Sequence, residues 1–129
     1  MFTIHKHDTA GRQPWEYLAA AAGSYKAGQA LSVSGGKVTP ISAALKTTPP
    51  YISMADVTVT EGQALPVIRV TDKAIYATEL SAEAAAAVVG TKLEVSAGGL
   101  QVDAAAAGTF EVVYIDGTAA GSVVHGRFV

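Results

Sequence analysis

Residues 28–40 read GQALSVSGGKVTP, and this stretch decides the fold. Ala30 to Ser34 alternates apolar and polar side chains, with Leu31 and Val33 on one face. Gly35-Gly36 follows, then Lys37, Val38 and Thr39. Two alternating runs joined by Gly-Gly predict a β-hairpin, because both central residues of a primed turn take positive φ and glycine does so without steric cost. Pro40 has no amide hydrogen to donate, so it ends the second strand or places it on an edge.

Working outward, the same grammar repeats. Tyr51 to Thr60 reads as a strand pair or one bent strand, and Glu61-Gly62 as a turn. Ala64 to Thr71 is a strand with Val67 and Arg69 on one face and Ile68 and Val70 on the other. Asp72-Lys73 is a turn from which Ala74 to Leu80 is expected to pair back. Thr91 to Ser96 alternates with Leu93 and Val95 inward, Gly98-Gly99 turns it, and Leu100 and Val102 return. Thr109 to Asp116 is the strongest strand, and Ser122 to Val129 forms the closing one. Gly28 to Gly36 is echoed 62 residues later by Gly90 to Gly99 with one inserted alanine, either as two ordinary hairpins with shared turn chemistry or as two related β-subdomains. Ser81 to Val89 (SAEAAAAVV) predicts one short helix, with Ser81 as cap, Glu83 in the first turn and alanines after it. Nine residues are marginal alone, so that helix has to pack on the sheet. Short strands with turns every 8–12 residues or so give a mainly β fold, a small β-sandwich or barrel of short hairpins.

The first 24 residues differ. Residues 5–16 (HKHDTAGRQPWE) are polar and interrupted by Gly11 and Pro14, so residues 1–24 read as an extended N-terminal arm and residues 25–129 as a single β-rich domain. Phe2, Ile4, Trp15 and Tyr17 are large side chains in a chain otherwise short of them, and Trp15 is its one tryptophan. Aromatic anchors on such a segment suit docking to a partner, or folding back to cap the chain's own barrel.

Composition narrows the function. The 129 residues include 25 Ala and 13 Gly, half are hydrophobic, and 16% are charged against a usual quarter. Disorder needs the opposite balance. A net charge of -2 is wrong for a nucleic-acid surface. With no Cys there is neither a disulfide scaffold nor a thiolate metal site. The longest apolar runs, Tyr17 to Gly23 and Ala84 to Gly90, fall far short of the 18–20 or so residues of a membrane span. The opening residues have no apolar signal-peptide core, so synthesis and residence in a cytoplasm are expected. A core of Ala and Val buries little area per residue, so association with other chains is expected to supply the missing burial.

His5 and His7 lie on one face of an extended segment and could share a metal if Asp8 or His125 arrived by folding, but a solvated arm is the simpler expectation. Ser122, His125 and Asp116 are triad residue types without a G-x-S-x-G elbow or an oxyanion hole. Ser34-Gly-Gly-Lys37 resembles a phosphate loop but lacks the required glycine spacing and the hydroxyl after the lysine. The eleven carboxylates show neither EF-hand spacing nor a catalytic pair. No catalytic, cofactor or metal residue is assigned, and a non-enzyme is expected.

The order of segments carries a resemblance. A Pro-containing arm leads to WEYL, then YKAGQALSVSGGKVTPIS, PPYISMADV, GQALPVIRV, VVGTKLEVSAGGLQV and the closing TFEVVYIDG and SVVHGRFV. Over roughly residues 15–129 this resembles the head decoration, or capsid cement, proteins of tailed bacteriophages, of the lambda type. The resemblance implies a β-rich protein that trimerises at local threefold sites of the expanded head, binds the major capsid protein and locks the shell against internal pressure. It places the protein on the virion surface after assembly in the host cytoplasm, with no cofactor, nucleic acid or membrane partner. It makes residues 1–24 the capsid-binding arm, with Phe2, Ile4, Arg12, Trp15 and Tyr17 as its contacts, and removal of residues 1–20 is expected to leave the fold intact. Two other classes remain: a carbohydrate- or surface-binding β-sandwich module using Trp15, Tyr25, Tyr51 or Tyr76 as a stacking platform, and a small β-barrel enzyme with a polar pocket.

Overall fold

The computed structural model describes residues 1–7 and 14–129. Twelve strands follow in chain order: β1 Thr3–His7, β2 Glu16–Ala19, β3 Gly23–Tyr25, β4 Ala30–Ser34, β5 Lys37–Pro40, β6 Tyr51–Ser53, β7 Val57–Val59, β8 Ala64–Arg69, β9 Ala74–Glu79, β10 Lys92–Leu93, β11 Phe110–Ile115 and β12 Val123–Phe128. They form a five-stranded sheet in the order β1-β9-β12-β11-β10, a second in the order β2-β8-β6-β4-β5, and a two-stranded ribbon of β3 and β7. All named pairings are antiparallel. The molecule is mainly β and sandwich-like, without a closed barrel. The edges of the second sheet do converge at one parallel bridge, Ala20 to Val38.

The Gly-Gly hairpin forms as its sequence dictates. Val33 pairs with Val38 and Ser34 with Lys37, and Gly35 and Gly36 take φ of 59° and 76°. Both signs are positive, as a primed turn requires. Pro40 closes β5 on the sheet edge, where its missing amide hydrogen leaves no partner unpaired. Pro66 sits in a central strand, yet it falls just past the last β6 pairing, Ser53 with Val67, and its carbonyl accepts from the Met54 amide. The echoed segment around Gly98-Gly99 is looser, with Val95 bridged to Val102. The two echoing segments touch: the Ala30 amide donates to the Gly99 carbonyl at 2.7 Å, and the Gln29 side-chain amide to the Gly98 carbonyl at 2.9 Å.

Two cores result. Phe2, Ile52, Ile68, Tyr76, Leu93, Phe110, Val112 and Phe128 fill the space between the large sheets. Tyr25, Leu31, Val38, Val59, Leu65 and Val67 fill the other side of the second sheet, which curls over the β3-β7 ribbon. β8 therefore buries both faces, Val67 in one core and Ile68 in the other. The buried aromatics keep their polar tips paired. Tyr25 Oη donates to the Ala21 carbonyl at 2.6 Å, and Tyr76 Oη accepts from the Thr71 amide at 3.2 Å. Burial raises the pKa of both hydroxyls.

Three expectations are corrected. No helix is present among the described residues. In residues 81–89 the backbone amides bond elsewhere: Ser81 donates to the Val102 carbonyl and Ala84 to the Thr118 carbonyl, and the Gly90 amide donates to Val112. Isolated turns are what remain, Ala87 to Ala84 and Thr91 to Val88, and the first buries Ala84 and Ala87. Neighbouring loops compete successfully for amides that so short a segment cannot hold in a helix. Second, β9 does not pair back on β8. The chain crosses at Asp72-Lys73 to the other sheet, where β9 lies between β1 and β12. Third, the described parts of residues 1–24 pair throughout the molecule, with β1 on β9 in the first sheet, β2 on β8 in the second and β3 on β7 in the ribbon.

Candidate functional site

The N-terminal segment supplies an edge strand to each large sheet. β1 ends the first sheet and β2 the second. An edge strand offers unpaired N–H and C=O groups to another chain. On β2 the side chains alternate as a pleated strand requires. Glu16 and Leu18 turn toward the protein, Glu16 pairing with Arg69 at 3.3 Å and Leu18 packing against the second core. Trp15 and Tyr17 turn away and are 54% and 68% exposed. Tyr17 stands opposite Pro66 in the register, so a half-buried proline ring lies beside it. Arg69 continues the surface, its guanidinium 5.3 Å over the Tyr51 ring and its Nη2 donating to Tyr51 Oη at 3.3 Å. Glu16 holds the Arg69 guanidinium above its usual pKa by hydrogen bond and charge.

On β1, Ile4 is 38% exposed, whereas Phe2 just before the strand is 2% exposed. The Phe2 ring meets Phe110 at 5.7 Å and Phe128 at 5.8 Å between centroids. Its backbone amide donates to the Gly28 carbonyl at 2.7 Å. Of the five expected arm contacts, then, Ile4, Trp15 and Tyr17 are at the surface and Phe2 is in the core. Arg12 lies outside the described residues. A shallow apolar hollow of about 320 Å³ lies beside β1, lined in part by Ile4, Ile52, Met54, Ile68 and Tyr76. Removing residues 1–20 would take away Phe2, β1 and β2 together, so the fold is not expected to survive that deletion.

The other candidates fall into place individually. Lys37 of the Gly-Gly hairpin pairs with Glu61 at 3.0 Å, and Glu61 also accepts from the Ala22 amide at 3.0 Å. The Ala22 amide and then Lys37 hold the Glu61 carboxyl below its usual pKa. This contact ties β5 to the β7–β8 turn and is a structural use of the lysine. No hydrogen bond joins Ser122, His125 and Asp116 among the described residues, and no group of three or more metal-ligating side chains occurs there. His5 meets His125 rather than His7, at 4.0 Å between ring centroids. The sequence suggests His125 as a partner for His5 only through a shared metal; the ring stack, with Tyr114 as the register partner of His125, depends on the β1-β9-β12-β11 strand order. Tyr25 and Tyr76 are core residues, which removes both from any sugar-stacking platform. No helix of the described residues is long and apolar enough to cross a membrane. No family model matches the chain, and no curated protein matches it in sequence.

Proposed function

We propose that this chain is a structural decoration protein that cements the head of a tailed bacteriophage. It binds the expanded shell of the major capsid protein as a homotrimer, on the virion surface, after synthesis in the host cytoplasm. It is not an enzyme and uses no cofactor, nucleic acid or membrane. The observation that carries the proposal is the exposure of Tyr17 on the edge strand β2 and of Trp15 just before it. Most aromatic side chains of this chain are spent on its cores, and a solvent-facing Trp-x-Tyr pair is costly unless a partner covers it. Large aromatics at the centre of an interface supply most of its binding energy. The open edge of β1, and that of β2 short of the Ala20–Val38 bridge, add main-chain donors and acceptors, and threefold repetition would turn weak contacts into avidity.

The test is co-sedimentation of the purified chain with expanded, undecorated heads of the phage that encodes it. Wild type is expected to pellet with the heads and the Trp15→Ala/Tyr17→Ala double variant to lose roughly 100-fold in affinity. Both side chains project into solvent, so the thermal midpoint of the variant should match wild type. Failure of wild type to bind heads, or full binding by the variant, would refute the proposal. The exposed Trp15-Tyr17 pair also favours a second reading, a stacking platform for sugars on a β-sandwich module. Binding on a glycan array that the same double substitution abolishes would establish that alternative.

A further inference from the structure

Three rings stand in a row on the outer face of the first sheet. Tyr114 lies 5.1 Å from His125, and His125 lies 4.0 Å from His5, centroid to centroid, with the two imidazoles tilted by 31°. His125 is on β12 and His5 on β1, and β9 runs between those strands. The β9 residue opposite His125 is Ala77. Its methyl group is low enough for the two imidazoles to meet above it. His5 is also the residue at which the β1–β9 register shifts, between the pairs Ile4–Tyr76 and Lys6–Ile75. A bulge re-aims a side chain, and here the bulged side chain is the one in the stack. β1 is an edge strand, held on one side by β9 alone.

We propose that the His5–His125 stack is a proton-operated latch that holds β1 on β9 when at least one ring is neutral and releases it when both are charged. Stacked neutral imidazoles attract, and two imidazolium rings face to face repel. Because β1 is at an edge, the strain has a local outlet: residues 4–7 lift away and the backbone edge of β9 opens. Phe2 in the core and the N-terminal ammonium on the Leu100 carbonyl keep the strand tethered. The inference rests on the fold alone and holds whether or not the chain decorates a capsid.

Among the described residues no carboxylate is paired with either ring. A second hollow, at the two imidazoles, is lined by Lys6 from β1 together with Ile75, Val113 and Tyr114. Glu79 is on β9, and Arg127 and Glu111 are register partners on β12 and β11. Tyr114 Oη donates to Asp116 at 3.5 Å. None of these carboxylates is hydrogen-bonded or ion-paired to His5 or His125 among the described residues. Burial, and then the nearness of His5, hold His125 below the usual imidazole pKa. A group lowered in the folded state supports the fold fully above about pH 6.5 and loses that support as pH falls through its own lower value. The amine of Met1 is also lowered, by burial, but it is common to every variant and cancels in comparison.

Amide hydrogen exchange by NMR, corrected for the intrinsic pH dependence, tests the latch at pH 7.0 and 5.0. In wild type the β1 and β9 amides should lose about tenfold in protection relative to those between β11 and β12, the effect of one like-charge contact. In His5→Gln and in His125→Gln the relative protection should not change with pH. In His5→Gln, the His125 imidazole should also titrate at a higher pH than in wild type. Constant relative protection in wild type, an equal loss in either variant, or an unmoved His125 titration would overturn the proposal.

Discussion

Phe2→Ala is expected to destabilise the fold by about 3–5 kcal/mol, the range for removing a fully buried phenylalanine. The residue is one from the N-terminus and reads in sequence as part of an arm, yet its ring is 2% exposed and packs edge-on against Phe110. Phe110 and Phe128 also pack on each other, with centroids 5.2 Å apart, and Tyr76 packs on Phe128 at 5.6 Å. Removing Phe2 leaves a cavity in that aromatic cluster. β1 follows directly, so the pairing of Thr3–His7 with β9 loses its anchor. Domains of this size are stable by about 5–15 kcal/mol, so the variant should unfold at a much lower urea concentration than wild type. Urea unfolding followed by far-ultraviolet circular dichroism measures the change. An unchanged midpoint would mean that Phe2 is a detachable contact and not a core residue. Phe2→Leu should recover most of the loss, because it keeps apolar volume in place.

Gly99→Ala is expected to cost about 3 kcal/mol, from a positive φ and from backbone overlap together. Gly99 has φ of 75°, and a Cβ there would lie 2.2 Å from the Ala30 carbonyl oxygen. That oxygen belongs to backbone at the start of β4 and cannot swing aside. Gly36 provides a matched control. Its φ is 76°, and a Cβ built on it meets nothing within 4 Å. Gly36→Ala should therefore carry the conformational cost alone, about 1–2 kcal/mol. The difference between the two variants in thermal or urea unfolding isolates the close approach of the two Gly-Gly segments. Equal losses would show that the segments do not meet as described.

How far the sequence could be read follows from the range of the interactions. The β4-β5 hairpin was legible because its register is set by the two glycines between its strands, and β11 and β12 were legible as individual strands from their runs of β-branched residues. The crossing at Asp72-Lys73 was not legible. A Thr-Asp-Lys turn between alternating strands looks the same whether the second strand pairs with the first or leaves for another sheet. The helix expected over residues 81–89 failed because alanine propensity is a local quantity, and the amides of Ser81, Ala84 and Gly90 found partners more than twenty residues away. At the candidate site, Trp15 and Tyr17 stood out by residue type and by alternation with Glu16 and Leu18. Phe2 was assigned to the same surface because nothing near it in sequence marks burial; its partners are Phe110 and Phe128. His125 could be named beside His5 only as a metal partner; the stack itself needs three strands and a bulge that no local pattern marks.

The place of β12 has a consequence for how the molecule is made. Residues 123–128 form the middle strand of the first sheet, with β9 on one side and β11 on the other. Without them, β1 and β9 have no connection to β10 and β11. The second sheet is different, since all five of its strands lie between residues 16 and 69. A ribosome delivers that half early, and it can assemble while synthesis continues. The first sheet has to wait until residue 128 has emerged, and then joins its two halves by long-range pairing, the slow kind of step. In that interval the future neighbours of β12 present open edges.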